Sequence, residues 1–227
     1  YDQCKSIRFA DYGFSKWKNR KTLRFKKDKN MISAIYDRRS TRKFLDTPIA
    51  KKDIREIIES GIKAPSSKNR QPWKYIVVQG NEKEKMLHAF RQGISREENG
   101  DAMLPQSRQH IDGAKYTADI MEQAPVVVFV INTLGKDLME NISVEERVSE
   151  ICNTQSVGAS IENMLLAATD KGIGSLWICD IYFAYSELCD WLDHEGQLIA
   201  AIAFGYPNEF PRERPRKKFE EVVEWRD

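Results

Sequence analysis

The run Ala124-Pro125-Val126-Val127-Val128-Phe129-Val130-Ile131 is the longest apolar stretch of the chain, and it constrains the fold more than any other segment. From Val126 to Asn132 apolar residues do not alternate with polar ones, so a strand there has two dry faces and belongs inside a sheet covered on both sides. A central strand of that kind needs a covering layer on each face of its sheet. The run is eight residues long, whereas a membrane helix needs about 20, so no membrane span is expected.

The flanking patterns supply the other layers. A short helix is predicted over Met31 to Asp37, with Asn30 as N-cap and Ile32, Ile35 and Tyr36 on one buried face. Ile54, Ile57, Ile58 and Ile62 give the helix Lys51 to Lys63 a buried stripe, opposite an exposed face of Lys52, Arg55, Glu56 and Glu59. Pro65 ends that helix. Trp73 to Gln79 reads as a strand closed by Gly80, and a helix near Glu82 to Arg96 follows. Gly100 to Pro105 is loop and 106–122 helical. Val144 to Lys171 is the longest helical pattern, with Ile151, Val157, Ile161, Met164, Leu165 and Ala168 inward and the small residues Ser156, Gly158, Ala159 and Ser160 at its middle. Those small residues fit either helix packing or close approach by a flat ligand. Gly172 suits a left-handed C-terminal cap. Ser175 to Ile178 is extended, Ser186 to Asp193 helical, Leu198 to Phe204 a strand, Gly205 to Lys218 extended and Phe219 to Trp225 a last strand. No repeat period or low-complexity linker divides 31–227, which reads as one α+β domain.

Charge is distributed unevenly. Net charge is only +2 from 36 basic and 34 acidic residues, yet residues 1–30 hold ten Lys/Arg against three Asp. Tyr12, Phe14, Trp17, Leu23 and Phe25 interleave with those charges, which suits an arm packed on the body or on a partner more than a nucleic-acid or lipid-binding leader. Cys4, Cys152, Cys179 and Cys189 contain no CxxC pair, and His88, His110 and His194 lie far from one another and from any Cys partner at metal-ligand spacing, so no metal site is expected. Scattered thiols fit a reducing compartment, hence a cytoplasmic location.

Three polar clusters carry the candidate chemistry. Arg38, Arg39 and Arg42 gather planar cations where a helix yields to loop, and an Arg fork matches phosphate oxygens. Ser40 adds a hydroxyl. Such clusters are also common as solvated helix ends. Ser66, Ser67, Asn69 and Gln71 bring short polar side chains into a loop stiffened by Pro65 and Pro72, suited to the edge of a heterocycle or to satisfying its own backbone. Arg214 and Arg216 flank Pro215 and share one side of an extended segment, able to grip a phosphate or to remain a basic tail. Gly172-Ile173-Gly174 lacks the third Gly of a dinucleotide fingerprint, because position 177 is Trp.

From about Met31 onward the chain resembles the nitroreductase family. Ile35-Tyr36-Asp37-Arg38-Arg39-Ser40-Thr41-Arg42 is similar to the family's opening motif, and Ala64-Pro65-Ser66-Ser67 with Asn69 and Gln71-Pro72-Trp73 to its second. Gly172 to Ile178 is similar to a third, and Gly205-Tyr206-Pro207 followed by Arg214-Pro215-Arg216 to a fourth. The resemblance implies a three-layer α-β-α fold with a mixed, mostly antiparallel sheet, in an intertwined homodimer with two FMN sites at the seam. It implies an FMN-dependent enzyme that passes hydride from NAD(P)H, through flavin N5, to a nitroaromatic, quinone or enone in a ping-pong cycle. Residues 1–30 have no counterpart in it.

Carried over by the resemblance, Arg38 and Arg216 hold the phosphate with Arg214 assisting, while Arg39 and Ser40 meet phosphate and ribityl chain. Arg42 lies near N1 and O2, where it would stabilise the anionic reduced ring. Asn69, with Gln71 in the same motif, contacts the pyrimidine side, and Pro65, Ser66 and Ser67 line the neighbouring chain's flavin. Trp177, Ile178 and Cys179 cover the ring near N5. Cys179 departs from the Gly common in the family. Two alternatives share this sequence: reductive dehalogenation or flavin breakdown on the same scaffold, using a lid over Gly93 to Tyr116 with Glu97, Lys115 and Tyr116, or a flavin-binding scaffold whose basic arm engages nucleic acid or membrane. No acid or base that must act on substrate is evident, as expected when a cofactor does the chemistry.

Overall fold

A computed structural model describes residues 32–227. Its elements, in order, are α1 (Ser33–Asp37), α2 (Lys51–Ile62), β1 (Trp73–Val78), α3 (Glu82–Asn99), α4 (Ile111–Gln123), β2 (Val126–Asn132), α5 (Val144–Asp170), β3 (Gly174–Ile178), α6 (Tyr185–Leu192), β4 (Gln197–Gly205) and α7 (Phe219–Val222), with 3-10 turns at Ser67–Asn69, Pro105–His110 and Asp180–Ala184. The sheet order is β1-β2-β4-β3, and all three strand pairings are antiparallel. A single parallel bridge, Ser40 to Ser175, adds the mixed character.

The apolar run is buried along its whole length, as its composition requires. Val127, Phe129 and Ile131 join one core with Met86, Phe90 and Ile94 of α3, Ala118 and Met121 of α4 and Leu188 of α6. Val126, Val128 and Val130 join the other, with Ile54 and Ile57 of α2 and Val157, Ile161, Met164 and Leu165 of α5. Each such side chain contributes about 1.5–3 kcal/mol when fully buried, which makes β2 the axis of both cores. A register shift between Val130 and Ile131 skips Ile199 on β4, so Ile199 and Ala200 both face the α2/α5 side.

Helix ends follow local chemistry. Ser143 caps α5 in a reciprocal box with Glu146, whose N–H donates to Ser143 Oγ at 3.2 Å while the Ser143 N–H donates to its carboxylate at 2.8 Å. At the other end Gly172, at φ 76°, closes α5: its N–H reaches Thr169 O at 3.1 Å and the Ile173 N–H reaches Ala168 O at 2.8 Å. That pair of bonds is the Schellman arrangement expected of a left-handed glycine cap.

Four expectations are corrected. In α1 the buried residue is Ala34, while Ile32, Ile35 and Tyr36 are exposed, because so short a helix touches the body along only one narrow line. Ile62, at the last turn of α2, and Ile151, in the first half of α5, are exposed where their helices run past the sheet. Phe219 to Trp225 forms no strand: α7 takes Phe219–Val222, and the remainder is extended without a sheet partner among the described residues. The basic arm and the Asn30 cap lie outside the described residues.

Candidate functional site

The first and third clusters meet. Segment 40–45 threads between the start of β3 and the stretch after β4: Thr41 N–H donates to Ser175 O at 2.9 Å, Leu45 N–H to Tyr206 O at 2.8 Å, and Asn208 N–H to Lys43 O at 2.8 Å. Two carboxylates complete the seam. Glu209 accepts from the Arg42 and Lys43 backbone N–H groups, and Glu213 accepts from Arg39 Nη2 at 3.1 Å. Arg214 and Arg216 follow Glu213 in the chain, both exposed, and Arg216 Nη1 donates to Arg214 O at 3.2 Å.

Within the first cluster the residues part company. Arg39 donates to Tyr36 O at 2.6 Å and Arg38 O at 2.8 Å, and with Thr41, Asp37 and Glu209 it lines a cleft of about 250 Å³. Arg38, Ser40 and Arg42 are not in that lining. Alternation along an extended segment explains the split. Arg38 instead turns to α5, with Nε 3.7 Å from Glu162, a loose contact that leaves the guanidinium largely uncommitted.

Helix α5 organises the rest. The Trp177 ring lies against Gly158, since a Cβ built there would sit 3.8 Å from Trp177 Cη2. Glu162 is one turn further along, so Trp177 and Arg38 share a flank of the helix. The loop Pro65 to Gln71 is on another flank, where Ser67 N–H donates to Ser156 Oγ at 3.1 Å and that hydroxyl donates to Cys152 O at 2.7 Å. Positions 156 and 158 differ by about 200° around a helix. The small residues thus serve two surfaces: Ser156 and Ser160 turn inward, Ser160 onto the Tyr75 hydroxyl, while Gly158 opens outward. Burial pushes that phenol up to about 12.

The loop itself is held in an uncommon shape. Lys68, Asn69 and Gln71 have φ of 53°, 53° and 48°, in the left-handed region that costs non-glycine residues about 1 kcal/mol or more each. Ser66 offsets the cost, its Oγ accepting from Gln71 N–H at 3.0 Å and its carbonyl from Asn69 N–H at 3.0 Å. The amides of Asn69 and Gln71 end up side by side, 3.2 Å apart, and exposed with Pro65 at the rim.

At the end of β3, Ile178 is buried and Trp177 and Cys179 are exposed. Partial burial, and then the neighbouring Asp180, push the Cys179 thiol above its ordinary range. A protonated thiol is a poor nucleophile. Asp180 accepts from Thr117 Oγ1 of α4 at 2.5 Å.

The lid residues are engaged elsewhere. Glu97, 1% exposed, accepts from Arg96 at 2.6 Å and from the backbone N–H groups of Met103 and Leu104 at 2.8 and 3.1 Å. Arg96 also reaches Glu187 at 2.7 Å, and Lys115 pairs with Glu98 at 2.5 Å. Among the described residues no His, Cys, Asp or Glu group could hold a metal, and no helix is long and apolar enough to cross a membrane.

Sequence reasoning passed over Glu209, Glu213 and Glu162, and read Ser156 only as one of the small residues of α5. The first two carry no signal of their own in the sequence, since acids among the arginines of 209–216 read as ordinary surface residues.

The fold and site define a two-faced α+β scaffold with an arginine seam at one end, and comparison with known proteins places it. The family model "Nitroreductase family" matches residues 35–206. A protein of Archaeoglobus fulgidus named "Putative NADH dehydrogenase/NAD(P)H nitroreductase" is 32% identical over 148 residues, covering 65% of this chain and 66% of that relative. The solved nitroreductase-like family protein of Bacillus cereus superposes with TM-score 0.68 at 19% identity, over 89% of this chain and 100% of that one. The FMN-dependent nitroreductase NfnB of Mycobacterium smegmatis, solved with NADPH, gives TM-score 0.64 at 18% identity, over 86% and 96%. This chain belongs to the nitroreductase family.

Proposed function

We propose that the protein is an FMN-dependent NAD(P)H oxidoreductase that reduces a small-molecule acceptor such as a nitroaromatic, quinone or enone by a ping-pong cycle, with its two sites at the seam of a homodimer. Family membership supports the enzyme class, and the M. smegmatis neighbour is FMN-dependent and was solved with NADPH. The observation that supports the site is the seam itself, in which Glu209 seats on the Arg42 and Lys43 backbone and Glu213 on Arg39, so that the segment carrying Arg214 and Arg216 departs from the arginine cluster of 38–42.

The donor set fits the group. Arg38, Arg216 and Arg214 offer planar forks to a phosphate, Ser40 a hydroxyl to the ribityl chain, and Arg42 a fixed charge at the pyrimidine end. Trp177 and Cys179 would form the wall toward N5, with Ile178, whose side chain is buried in the core, contributing its backbone. When bound, the flavin supplies the hydride-accepting centre, and the protein positions it and excludes competing groups. Arg39 has its guanidinium turned to Tyr36, Arg38 and Glu213, so its part is to brace the phosphate-binding segment.

The flanks of α5 support a two-chain site. Pro65, Ser66, Ser67, Asn69 and Gln71 lie round the helix from Trp177 and Arg38, where they can reach a second copy's flavin. Val144, Val148 and Ile151 leave a three-and-four-spaced apolar stripe exposed on the first half of α5, and Phe219, Val222 and Trp225 are exposed on the C-terminal segment. The dehalogenase alternative loses its ammonium-binding carboxylate, since Glu97 is consumed internally.

The test is direct. The purified protein should be yellow, bleach anaerobically with NADH or NADPH, and recolour with a nitroaromatic or quinone. Arg38→Ala with Arg216→Ala should strip the flavin while leaving the circular dichroism unchanged. Undiminished flavin content in that double variant would refute the site.

A further inference from the structure

Residue 179 is pinned from two directions. Its carbonyl accepts from the Tyr182 N–H at 3.2 Å, which shapes the 3-10 turn, and the next residue, Asp180, is tied through Oδ2 to Thr117 Oγ1 at 2.5 Å. Thr117 is only 6% exposed and sits on α4 among Ala114, Ala118 and Met121, all in the core. So the end of β3 takes its position from a buried helix of the opposite layer as well as from the sheet. The Asp180 charge is also held within reach of residue 179, since it is one of the two causes that raise the Cys179 thiol.

We infer that Thr117 and Asp180 are a positioning pair that fixes the backbone of residue 179 against the flavin and biases that flavin toward its oxidised form. The inference rests on the proposed function, which puts Cys179 beside N5. Two effects act in one direction. A carboxylate fixed next to residue 179 opposes the negative charge of a reduced flavin, and a rigid N–H at 179 hydrogen-bonds N5 as an acceptor, which N5 is only when oxidised. Without its hydroxyl partner the carboxylate can turn toward solvent, and both effects weaken.

The experiment compares wild type with Asp180→Asn, Thr117→Val and Thr117→Ser, all loaded with FMN, by dye-equilibrated reductive titration. Asp180→Asn should shift the equilibrium about tenfold toward reduced flavin, about 30 mV for a two-electron couple. Thr117→Val should shift it the same way by less, and Thr117→Ser, which keeps the hydroxyl, should match wild type. Equal potentials in all four proteins overturn the inference. Iodoacetamide labelling of Cys179 in the flavin-free proteins, read peptide by peptide, separates this failure from failure of the proposed function. Labelling about threefold faster in Asp180→Asn shows that the carboxylate governs residue 179. That result with unchanged potentials, or with no flavin uptake at all, overturns the placing of the flavin at residue 179. Unchanged labelling in both Asp180→Asn and Thr117→Val overturns the pair.

Discussion

The two helical layers of this protein are finished to different degrees. On the α3/α4/α6 side every charged group that enters the interior is answered within the chain: Glu97 by Arg96 and two backbone N–H groups, Arg96 by Glu187. On the α2/α5 side the half of α5 beyond Asn153 sends Val157, Ile161, Met164, Leu165 and Ala168 into the core, while the first half leaves Val144, Val148 and Ile151 facing outward. The lesson is where function was built. The closed layer supplies rigidity, and the unfinished one presents the surfaces that a second chain and a cofactor would complete.

Breaking the closed layer should have the largest effect. A Cβ on Gly93 would lie 2.3 Å from Ala184 Cα, a backbone atom that cannot swing aside, so Gly93→Ala should cost about 3 kcal/mol in denaturant unfolding. Glu97→Ala should follow at about 2–3 kcal/mol, because it strips the half-buried Arg96 of one partner and leaves the Met103 and Leu104 N–H groups unpaired. The same network has a pH signature. Burial pushes the Glu187 carboxyl up, but the hydrogen bond from Arg96, one from its own backbone N–H and the Arg96 charge together outweigh it and hold the group below its ordinary range. A depressed carboxyl contributes stability that is present above the unfolded value near pH 4 and disappears as pH falls through the folded value. Acid unfolding of wild type should therefore steepen below about pH 4, and Glu187→Gln should flatten that limb.

The open layer should respond in association instead. Val148→Glu together with Ile151→Glu should weaken dimerisation at least about a hundredfold, or about 2.7 kcal/mol, in sedimentation velocity, while the unfolding of the separated chain stays within about 0.5 kcal/mol. A variant that remains a dimer would break the contrast between the layers. The smallest effect is expected at the shared helix end: Ser143→Ala should cost about 1 kcal/mol by removing the N-cap of α5.

Much of this was legible before any coordinates. A strand with two dry faces needs two layers, and Val126 to Asn132 announced both. Gly172 announced its own cap. Periodicity misled where a helix extends past the sheet, because Ile62 and Ile151 keep the spacing of a core residue without a core beneath them. Phe219 to Trp225 has strand-like composition but no strand within its own chain to pair with, so composition outran topology there. At the site, the arginines could be singled out because cations at motif spacing are few. The acids that seat them could not, since Glu209 and Glu213 look like ordinary surface residues until the fold lays them against segment 38–43. The positive φ angles of Lys68, Asn69 and Gln71 left no mark either, because only Asn among them favours that region.

The two glutamates also behave differently in salt. Glu213 meets a half-exposed guanidinium, a contact that ions screen over about 10 Å at 0.1 M, whereas Glu209 is locked to backbone N–H groups that dissolved ions compete for poorly. The tail is therefore fastened like a zipper with one soft and one hard tooth. As ionic strength rises it should peel from the arginine end inward and stop at Glu209, so the proposed grip on a phosphate would weaken well before the backbone contacts at Arg42 and Lys43 let go.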